Sequence, residues 1–564
     1  MLTAAAANVL WSGAALRARA RFQAALQRPW RWQGVLLERY LRENSTTAVG
    51  EAHGFSRVLT MCPGTHAIAT ASEPAVRRFM AAYQAQVPVT TYDDLEPLIS
   101  RVRAGERRVL TDAPVMRLLP SSGSTAAAKL VPCTTAGQQE LSRAVDAWIG
   151  DLFLSCPSLI GGPAYWSISP AIAEDRQSAV PIGFDSDSAY LGGARQVLAR
   201  AILAVPDAVS RIHDGDAFRY VTLLFLARTP DLRLMSVWHP TFLTRLMNGL
   251  PLWFDRIVQD LADGTVSPPG PIDRTVCDEL RRHLGRHTRR ATELARLHAP
   301  CPSSIWPRVV AISCWADGPA APYVREVEGL FPRATTQAKG LVATEGIVTI
   351  PFAGYHPVAV TSHFFEFITD SGEARLAYEL ETGKEYVVLL TTGSGLYRYR
   401  LGDRVRVGGW VGRTPSLRFI GKDDRVVDHF GEKMSDGFVA GVFASLFAGT
   451  QPRFAMLAPE RTSAGVAYTL FVETDANLPA NLSAALERAL RCNPHYAWCV
   501  DIGQLRPSRV VAVGPNADGA YVDSCVARGQ RLGDVKPVSL HREGGWQAAL
   551  PEVRTSGVEE RPAC

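Results

Sequence analysis

A change of pattern near residue 305 constrains the fold of this chain more than any other feature. Upstream, residues 1–45 carry apolar side chains at helical spacing. Downstream, short β-rich runs are separated by glycines, and the expected strands are 309–313, 347–351, 364–368, 386–392, 396–400 and 405–407. A second mixed pattern then follows, with strands at 454–458, 466–472 and 508–513 and a helix at 478–491. These patterns predict an α/β protein.

The segment from Arg418 to Arg425 is the best candidate for a domain boundary. A β-like run ends there in Gly421 and a group of charged residues, which suits a solvated hinge. We therefore expect an N-terminal domain at 1–420, a hinge at 421–425 and a C-terminal domain at 426–540. The tail at 541–564 is polar and rich in Arg, Glu, Gly and Pro, and we expect it to be disordered.

Composition argues against several classes of protein. The 564 residues are 47% hydrophobic and 20% charged, which is ordinary globular usage. The net charge of +5 comes without a basic stripe interleaved with aromatic residues, so we expect no nucleic-acid partner. No uncharged apolar run reaches 18 residues, the ten cysteines include no C-x-x-C pair, and the N-terminus lacks the basic start of a secretory signal. We expect a cytoplasmic protein with no membrane partner and no zinc ribbon.

The first segment that carries chemistry is Leu119–Lys129. Small hydroxyl residues around a glycine allow backbone N–H and side-chain O–H groups to donate to phosphate oxygens, and Lys129 adds a positive charge. The spacing of a Walker A loop is missing, and a flexible Ser/Thr loop explains this segment alone equally well. The candidate phosphate-binding residues are Ser121, Ser122, Gly123, Ser124 and Thr125.

The second segment is Gly340–Gly346. Glu345 follows Thr344 at a turn after an apolar run, and a carboxylate so placed can hold Mg²⁺ against a phosphate. The basic, amide-bearing stretch Gln337–Lys339 precedes it. Taken alone, the segment also fits a strand end with an exposed glutamate.

The third segment, Thr391–Asp403, is the densest. A glycine turn leads into alternating aromatic and arginine residues from Tyr397 to Arg400, and then into a Gly-Asp corner. Asp403 can accept two hydrogen bonds from ribose hydroxyls, as acidic residues do at other nucleotide sites. In a strand the tyrosines and arginines would fall on opposite faces, so one pair could line a ligand while the other packs.

Together the three segments resemble the three nucleotide motifs of adenylate-forming enzymes, in the same order. More closely, the chain resembles the Gretchen Hagen family of acyl acid amido synthetases, as a bacterial-type member, from about residue 20 to about residue 540. Plant members of that family conjugate auxin, jasmonate or benzoates to amino acids. Other family-like stretches are 44–54, 87–95, 165–170, 181–184, 236–243 and 364–367.

The resemblance implies the adenylate-forming fold, with a large N-terminal α/β domain that has β-sheets and a β-barrel-like part, and a smaller, mobile C-terminal α/β domain. It implies ATP and Mg²⁺ as cofactors. By position, Thr344 would touch the α-phosphate, Glu345 would ligate Mg²⁺ and Asp403 would bind the ribose. Further assignments by position are Ser121 to Thr125 with Lys129 in the phosphate loop, Tyr397 and Arg398 beside the nucleotide, and Lys422 at the hinge.

Lys536 lies in the segment 530–537, which resembles the one that delivers a mobile lysine in this family. The resemblance implies that Lys536 neutralises charge between the carboxylate and the α-phosphate. Two departures from the family pattern concern the nucleotide. Leu341 stands where an adenine-stacking tyrosine is common, and the phosphate loop has Ser124 and the alanines 126–128 where glycine is commoner. We therefore expect aliphatic packing of adenine or a contact from elsewhere, and a stiffer phosphate loop.

The acyl pocket is expected to involve an aromatic set suited to a flat or apolar acid, and each member also fits a core position. The set is Tyr165, Trp166, Trp238 and Phe352. For the base that deprotonates the amine, His239 and His363 are candidates that also fit structural roles.

The expected function is an ATP-dependent ligase that activates a carboxylic acid as acyl-AMP, releases pyrophosphate and transfers the acyl group to an amine, usually that of an amino acid. The expected catalytic residues are Lys129, Glu345 and Lys536. One alternative is an acyl-CoA or carrier-protein ligase with the same first step. The other is a non-catalytic nucleotide-binding protein, which loss of Lys129, Glu345 or Asp403 would indicate; all three are present.

Overall fold

The structure is a computed structural model, and contacts divide it into two compact units. Unit 1 contains Met1–Asp317 and Val324–Phe419, and unit 2 contains Gly318–Tyr323 and Ile420–Cys564. The structure describes residues 2–64, 67–120, 129–167, 178–183, 193–297, 300–422, 426–427, 429–430, 432, 434–448, 451–463, 465–474, 478–479, 481–528, 530 and 535–551.

Helices dominate the first 310 residues and return in unit 2. The helix expected over residues 1–45 is confirmed, but it is divided at Arg28, because Pro29 has no N–H to donate and is favoured in the first turn of a new helix. The helices are α1 (Leu2–Gln27), α2 (Pro29–Glu43), α3 (Ala48–Ala52), α4 (Phe55–Leu59), α5 (Glu73–Gln86), α6 (Tyr92–Arg103), α7 (Thr135–Ser155), α8 (Gly193–Ile202), α9 (Gly215–Ala227), α10 (Pro240–Met247), α11 (Leu250–Asp263), α12 (Arg274–Leu284), α13 (Thr288–Ala295), α14 (Pro302–Ile305), α15 (Ala321–Leu330), α16 (Asp436–Leu446), α17 (Leu482–Leu490), α18 (Pro494–Asp501), α19 (Ala517–Ala527) and α20 (Trp546–Ala549).

Strands form one parallel sheet, one five-stranded sheet, a three-stranded sheet and three hairpin-sized pairs among the described residues. The strands are β1 (Arg117–Pro120), β2 (Leu130–Cys133), β3 (Ala164–Trp166), β4 (Leu234–Ser236), β5 (Ala311–Cys314), β6 (Thr335–Ala338), β7 (Val342–Ala343), β8 (Gly346–Ile347), β9 (Phe364–Ile368), β10 (Ala374–Leu376), β11 (Glu385–Thr391), β12 (Tyr399–Val411), β13 (Thr414–Lys422), β14 (Val426–Val427), β15 (Met434–Ser435), β16 (Phe454–Thr462), β17 (Gly465–Glu473) and β18 (Leu505–Ala512).

In unit 1, the parallel sheet has the order β3-β4-β5-β6 and is buried on both faces. Alternate residues of a strand point to opposite faces, and this divides the interior in two. Leu234 belongs to a core cluster that also contains residues of α1, α2, α5 and α7, whereas its neighbour Met235 belongs to a second cluster around α9 and α11. The five-stranded sheet, in the order β10-β9-β11-β12-β13, contributes to the first cluster.

Unit 2 has an α/β arrangement of its own. Strand β16 pairs antiparallel with β17, which pairs parallel with β18. Leu457 and Leu470 lie in a cluster with residues of α16, α17 and α18, and Met456 and Phe471 lie in a cluster with residues of α19 and α20. The sheet is therefore covered on both faces by helices, as the expected α/β class requires.

The segment 541–551, expected to be disordered, is ordered instead. His541 N–H donates to the Leu457 carbonyl at 2.8 Å, and Trp546 in α20 is completely buried. The Trp546 ring stacks on Tyr521 with centroids 5.1 Å apart. The prediction was wrong here because the polar composition of the segment outweighed its one large apolar residue, Trp546. Residues 552–564 lie outside the described part of the chain.

None of the helices in the described ranges combines the length and the apolar character that a membrane span requires.

Candidate active site

The second chemical segment folds into the β7–β8 hairpin. Thr344 and Glu345 form its two-residue turn, between the paired residues Ala343 and Gly346. Both side chains are half-buried. At the base of the hairpin, Leu341 N–H donates to Thr349 Oγ1 at 2.8 Å. The threonine and the carboxylate are thus held at the tip of a short, braced element.

The third segment is a tight turn between β11 and β12. Gly395 N–H donates to the Thr392 carbonyl, and Thr392 N–H donates to the Leu396 carbonyl at 2.9 Å. The strand expected over 396–400 begins only at Tyr399, because Arg398 adopts a left-handed backbone with φ of 46°. Such a conformation is costly for a side chain with a Cβ and persists only where surrounding contacts hold it.

The first chemical segment is joined to the third by Thr134. This residue follows β2, which pairs with β1, and residues 121–128 connect those two strands. Thr134 Oγ1 donates to the Gly393 carbonyl at 2.9 Å, and Thr134 also accepts from Gly137 N–H as the N-cap of α7. The end of the first hairpin therefore lies against the glycine turn of the third segment.

A buried carboxylate, Glu140 of α7, joins the third segment to the second. Its Oε2 accepts from Gly393 N–H and from His363 Nδ1, each at 3.0 Å. His363 Nε2 in turn accepts from Ile347 N–H at 3.2 Å, on the second hairpin. Because Nε2 is an acceptor, Nδ1 must carry the proton that Glu140 receives as a hydrogen bond. The Glu140–His363 network, defined by these two side chains, thus positions the turn at Gly393 and the hairpin that carries Glu345.

The other oxygen of Glu140 is also fully used. Oε1 accepts from Tyr40 Oη at 2.7 Å and from Arg39 Nη2 at 2.9 Å. Burial, followed by the charge of Glu140, raises the pKa of Tyr40 well above its usual value, so Tyr40 remains a donor. Gly393 is required by the close approach: a Cβ there would lie 2.5 Å from Glu140 Oε1.

Asp403 lies at a β-bulge rather than a simple corner. The β11–β12 register shifts between Val387 and Leu389, so that residues 401–403 of β12 lie opposite Val388 alone. Gly402 occupies the left-handed region, with φ of 77°, and Asp403 is 2% exposed. A bulge redirects the side chains at the point where it occurs, which is a common device beside ligand sites.

Tyr397 and Arg398 are buried and bonded within unit 1. Tyr397 Oη donates to the Leu110 carbonyl at 3.2 Å, and its ring lies 4.8 Å from that of Phe55. Arg398 pairs with the buried Glu366 at 3.0 Å and donates to the carbonyls of Gln84 and Val87. These contacts hold the strained turn, and they engage the two side chains that the family resemblance assigns to the nucleotide.

The four aromatic residues expected in the acyl pocket differ in burial and do not lie together in one cluster. Tyr165 and Phe352 are almost completely buried, in the second and first core clusters respectively. Trp166, at the end of β3, packs against Trp11. Trp238 follows β4 and is 46% exposed. The structure therefore leaves Trp166 and Trp238 at the carboxyl ends of adjacent parallel strands, where ligands of such sheets bind.

The remaining expected site residues are distributed over both units. Ser121 to Thr125 lie outside the described residues. In unit 1, Lys129 Nζ lies 5.5 Å from the Tyr92 ring centroid, and Leu130 N–H donates to Tyr92 Oη at 2.8 Å. In unit 2, Lys422 ends β13, and the carbonyl of the half-buried Lys536 accepts from Tyr521 Oη at 3.2 Å.

Sequence reasoning missed Glu140, and it treated Lys339 only as part of the approach to the second segment. Glu140 lies in a helix whose sequence suggests a solvated acid, and its only detectable signal is its position shortly after the phosphate-loop hairpin. Lys339 follows β6 at the same carboxyl edge as Trp238, and its ammonium lies 4.6 Å from the Trp238 ring centroid. His363, named as a possible base, uses both ring nitrogens in the network and is structural.

Comparison with known proteins gives matches along most of the chain. A model of the GH3 family N-terminal domain matches residues 18–336, and one of the GH3 family central domain matches residues 356–422. An indole-3-acetic acid-amido synthetase, GH3.8 of Oryza sativa subsp. indica, is 24% identical over 81% of this chain and 82% of its own. Another, GH3.17 of Arabidopsis thaliana, is 24% identical over 87% of this chain and 90% of its own.

Solved structures show the same fold. The chain superposes on the AtGH3.15 acyl acid amido synthetase in complex with 2,4-DB with a TM-score of 0.79, over 94% of this chain and 96% of that one, at 17% identity. A second GH3.15 acyl acid amido synthetase structure gives a TM-score of 0.76 over the same shares. The expected fold, a larger N-terminal and a smaller C-terminal α/β part, is confirmed.

Proposed function

Because the chain belongs to the GH3 family, we propose that it is an ATP-dependent acyl acid amido synthetase. It activates a carboxylic acid as acyl-AMP and transfers the acyl group to an amine, that of an amino acid. The observation that carries this proposal is the Glu140–His363 network, which links the turn at Gly393 to the hairpin of Glu345. Glu140 and Gly393, which are 253 residues apart in the chain, are thereby joined where the nucleotide would bind.

The proposed nucleotide contacts follow the family assignments. Ser121 to Thr125 with Lys129 surround the phosphates, Thr344 touches the α-phosphate and Asp403 accepts from the ribose hydroxyls. The bulge at Gly402 supports the role of Asp403, since it redirects a buried carboxylate out of the regular alternation of β12. Tyr397 and Arg398 act indirectly, by holding the turn in its left-handed conformation.

The donors at the hairpin tip fit Mg²⁺. This ion is usually held by one or two carboxylates together with substrate phosphates, and Glu345 supplies one half-buried carboxylate at a turn. Within the described ranges, no cluster of three or more His, Cys, Asp or Glu side chains is suited to hold a metal alone. Bound there, Mg²⁺ would offset the negative charge of the phosphates.

In the first half-reaction a carboxylate oxygen attacks the α-phosphorus of ATP. The new O–P bond forms as the bond to the bridging oxygen breaks, and pyrophosphate leaves with the electron pair. The chain's part is to align the two anions and offset their charge. Lys129 acts from unit 1, and Lys536 is carried in unit 2, whose rotation about a hinge at 421–425 brings the lysine in and later withdraws it.

In the second half-reaction the amine nitrogen attacks the acyl carbon. A C–N bond forms, the bond from the acyl carbon to the phosphate oxygen breaks, AMP leaves and the amine loses a proton. His363 is not the base for that proton, since its two nitrogens are bonded to Glu140 and Ile347. Trp166 and Trp238 are the aromatic residues that the acid would contact, because both lie at the carboxyl edge of the parallel sheet.

Acid-dependent exchange of labelled pyrophosphate into ATP tests the first half-reaction. We expect the wild type to catalyse exchange with at least one member of an acid panel, and Glu345→Ala to abolish it without changing the melting temperature. Glu373→Ala, at an exposed turn of unit 1, is the matched control and should retain exchange. Exchange that survives in Glu345→Ala would refute the metal role.

A second assay distinguishes an amino-acid acceptor from CoA. With the activated acid in hand, amino acids should discharge acyl-AMP and CoA should not. Discharge by CoA alone would establish the acyl-CoA ligase instead, and the absence of exchange with every acid would leave a nucleotide-binding protein.

A further inference from the structure

Lys339 is an almost completely buried lysine at the edge of the sheet where the acid would bind. It follows β6 and is only 8% exposed. Its Nζ lies 4.6 Å from the ring centroid of Trp238 and 5.9 Å from that of Trp148. Trp148 is itself fixed by a 2.7 Å hydrogen bond from its Nε1 to Gln337 Oε1. The amine nitrogen therefore has two indole rings within 6 Å.

No carboxylate balances this charge in the described part of the chain. The ion pairs found there do not include Lys339. The neighbouring Cys314 is not a counter-charge, because burial raises the pKa of its thiol to about 11 and keeps it neutral. Burial lowers the pKa of Lys339 to about 7, against an opposing effect of Cys314. The protonated form of the amine has therefore lost its water without gaining an ionic partner.

Such a lysine lowers the stability of the folded protein. A buried unpaired charge destabilises a protein, and an apolar residue of similar size usually restores the loss. Cation–π contacts with the two rings recover only part of the cost. Stability alone would therefore favour methionine at this position. A residue that opposes folding and lies at the carboxyl edge of a parallel sheet is suited to bind a ligand instead.

The position of Lys339 in the chain limits its distance from the hairpin that carries Glu345. Lys339 lies six residues before Glu345, and Gly340 connects it to the hairpin. The intervening backbone spans at most roughly 20 Å when extended. This upper limit is compatible with a ligand of the size of an aromatic acid or an amino acid that contacts both groups.

We propose that Lys339 Nζ forms a subsite for an organic carboxylate other than the one that is activated. This inference rests on the proposed function, and it narrows the substrates of the same site. The carboxylate comes either from an acid that carries a second carboxylate or from the α-carboxylate of the amino-acid acceptor. In both cases the anion completes a charge-assisted hydrogen bond with a donor that is already desolvated.

Direct binding tests the subsite without requiring turnover. Trp238 is half-exposed beside Nζ, so its fluorescence should report occupancy. The probes are phthalate as a dicarboxylate, benzoate as its monocarboxylate counterpart, and glutamate and its α-amide. The variants are Lys339→Met, Lys339→Arg and the control Lys384→Met, which removes an exposed lysine of unit 1.

We expect phthalate or glutamate to bind the wild type and the control equally and Lys339→Met at least 10-fold more weakly, with Lys339→Arg intermediate. Preference for phthalate over benzoate identifies the acid as the source, and preference for glutamate over its α-amide identifies the acceptor. Lys339→Met should also melt at a higher temperature than the wild type, which shows that weaker binding does not come from unfolding.

Equal binding of every probe to wild type and Lys339→Met would overturn the proposal. Pyrophosphate exchange on the same proteins separates the two hypotheses. Lys339-dependent binding without exchange by any acid refutes the ligase and leaves the subsite, whereas exchange with Lys339-independent binding leaves the ligase and refutes the subsite.

Discussion

Replacing Glu140 tests whether one buried carboxylate holds the candidate site together. Glu140→Ala removes the acceptor for Gly393 N–H, His363 Nδ1 and Arg39, whereas Tyr40 Oη keeps the Ser362 carbonyl at 3.1 Å. The glutamate is completely buried, so water cannot replace the lost oxygens without rearrangement. The perturbation is therefore both a broken ion pair and a set of unsatisfied donors.

The magnitude follows from these contacts. Because the Arg39 side chain is 32% exposed, the loss of its ion pair costs about 1 kcal/mol or less. Each buried donor left unsatisfied adds about 1–3 kcal/mol unless the structure relaxes. Because the contacts share one carboxylate and are not additive, we expect a loss of about 4 kcal/mol. For a unit of roughly 400 residues this lowers the melting temperature by about 5 °C.

The assay combines urea unfolding, followed by tryptophan fluorescence, with pyrophosphate exchange well below the melting temperature. Exchange should fall about 100-fold, because the turn at Gly393 and the hairpin of Glu345 lose their common support. Asp260→Ala is the matched control: it removes a buried carboxylate that accepts from Tyr220 Oη and Ser267 N–H, far from the three segments in the chain. It should lose similar stability and keep exchange.

Two results would refute this reasoning. A stability loss below about 1 kcal/mol would mean that the Glu140 contacts contribute little. Full exchange activity in a clearly destabilised Glu140→Ala would mean that the network supports the core but does not position the site.

Three further predictions concern single side chains. Gly393→Ala should lower exchange at least 10-fold, because its Cβ would lie 2.5 Å from Glu140 Oε1, whereas Gly441→Ala in α16 meets no atom within 4 Å and should be neutral in exchange and melting. Tyr397→Phe should lower the free energy of unfolding by about 1 kcal/mol, because one buried hydrogen bond is lost, and should leave the KM for ATP within twofold. A 10-fold rise in KM would instead indicate that Tyr397 contacts the nucleotide directly. The stability of the wild type relative to Lys339→Met should rise from pH 7 to 9 by up to about 1.4 kcal/mol per pH unit. The sign is positive because the folded-state pKa of about 7 lies below the ordinary value of 10.5, so the unfolded chain binds the extra proton in this window; a flat difference would contradict it.

Much of the fold follows from local pattern. The strand expected at 364–368 is present with those bounds, and the runs at 454–458 and 466–472 lie within β16 and β17. The helix expected over 478–491 is shorter, at Leu482–Leu490. These elements show alternation or helical periodicity that sequence alone displays.

What the sequence did not reveal depends on contacts between distant residues. Strand β3 has three residues and is buried on both sides, so it shows no alternation. Arg398 adopts its positive φ only because Glu366, Gln84 and Val87 hold it. Glu140 resembles an ordinary helix acid until His363 and Gly393 are brought to it.

Unit 2 is built from two separate stretches of the chain, and this affects how the protein can be truncated. Because Gly318–Tyr323 belongs to unit 2 while its flanking residues belong to unit 1, the polypeptide crosses from one unit to the other at 317/318, 323/324 and 419/420. A protein that ends at Phe419 would therefore keep Gly318–Tyr323 but lack the rest of unit 2, to which that segment belongs. If unit 2 rotates about 421–425, as we propose, the backbone must also change direction at 317/318 and 323/324.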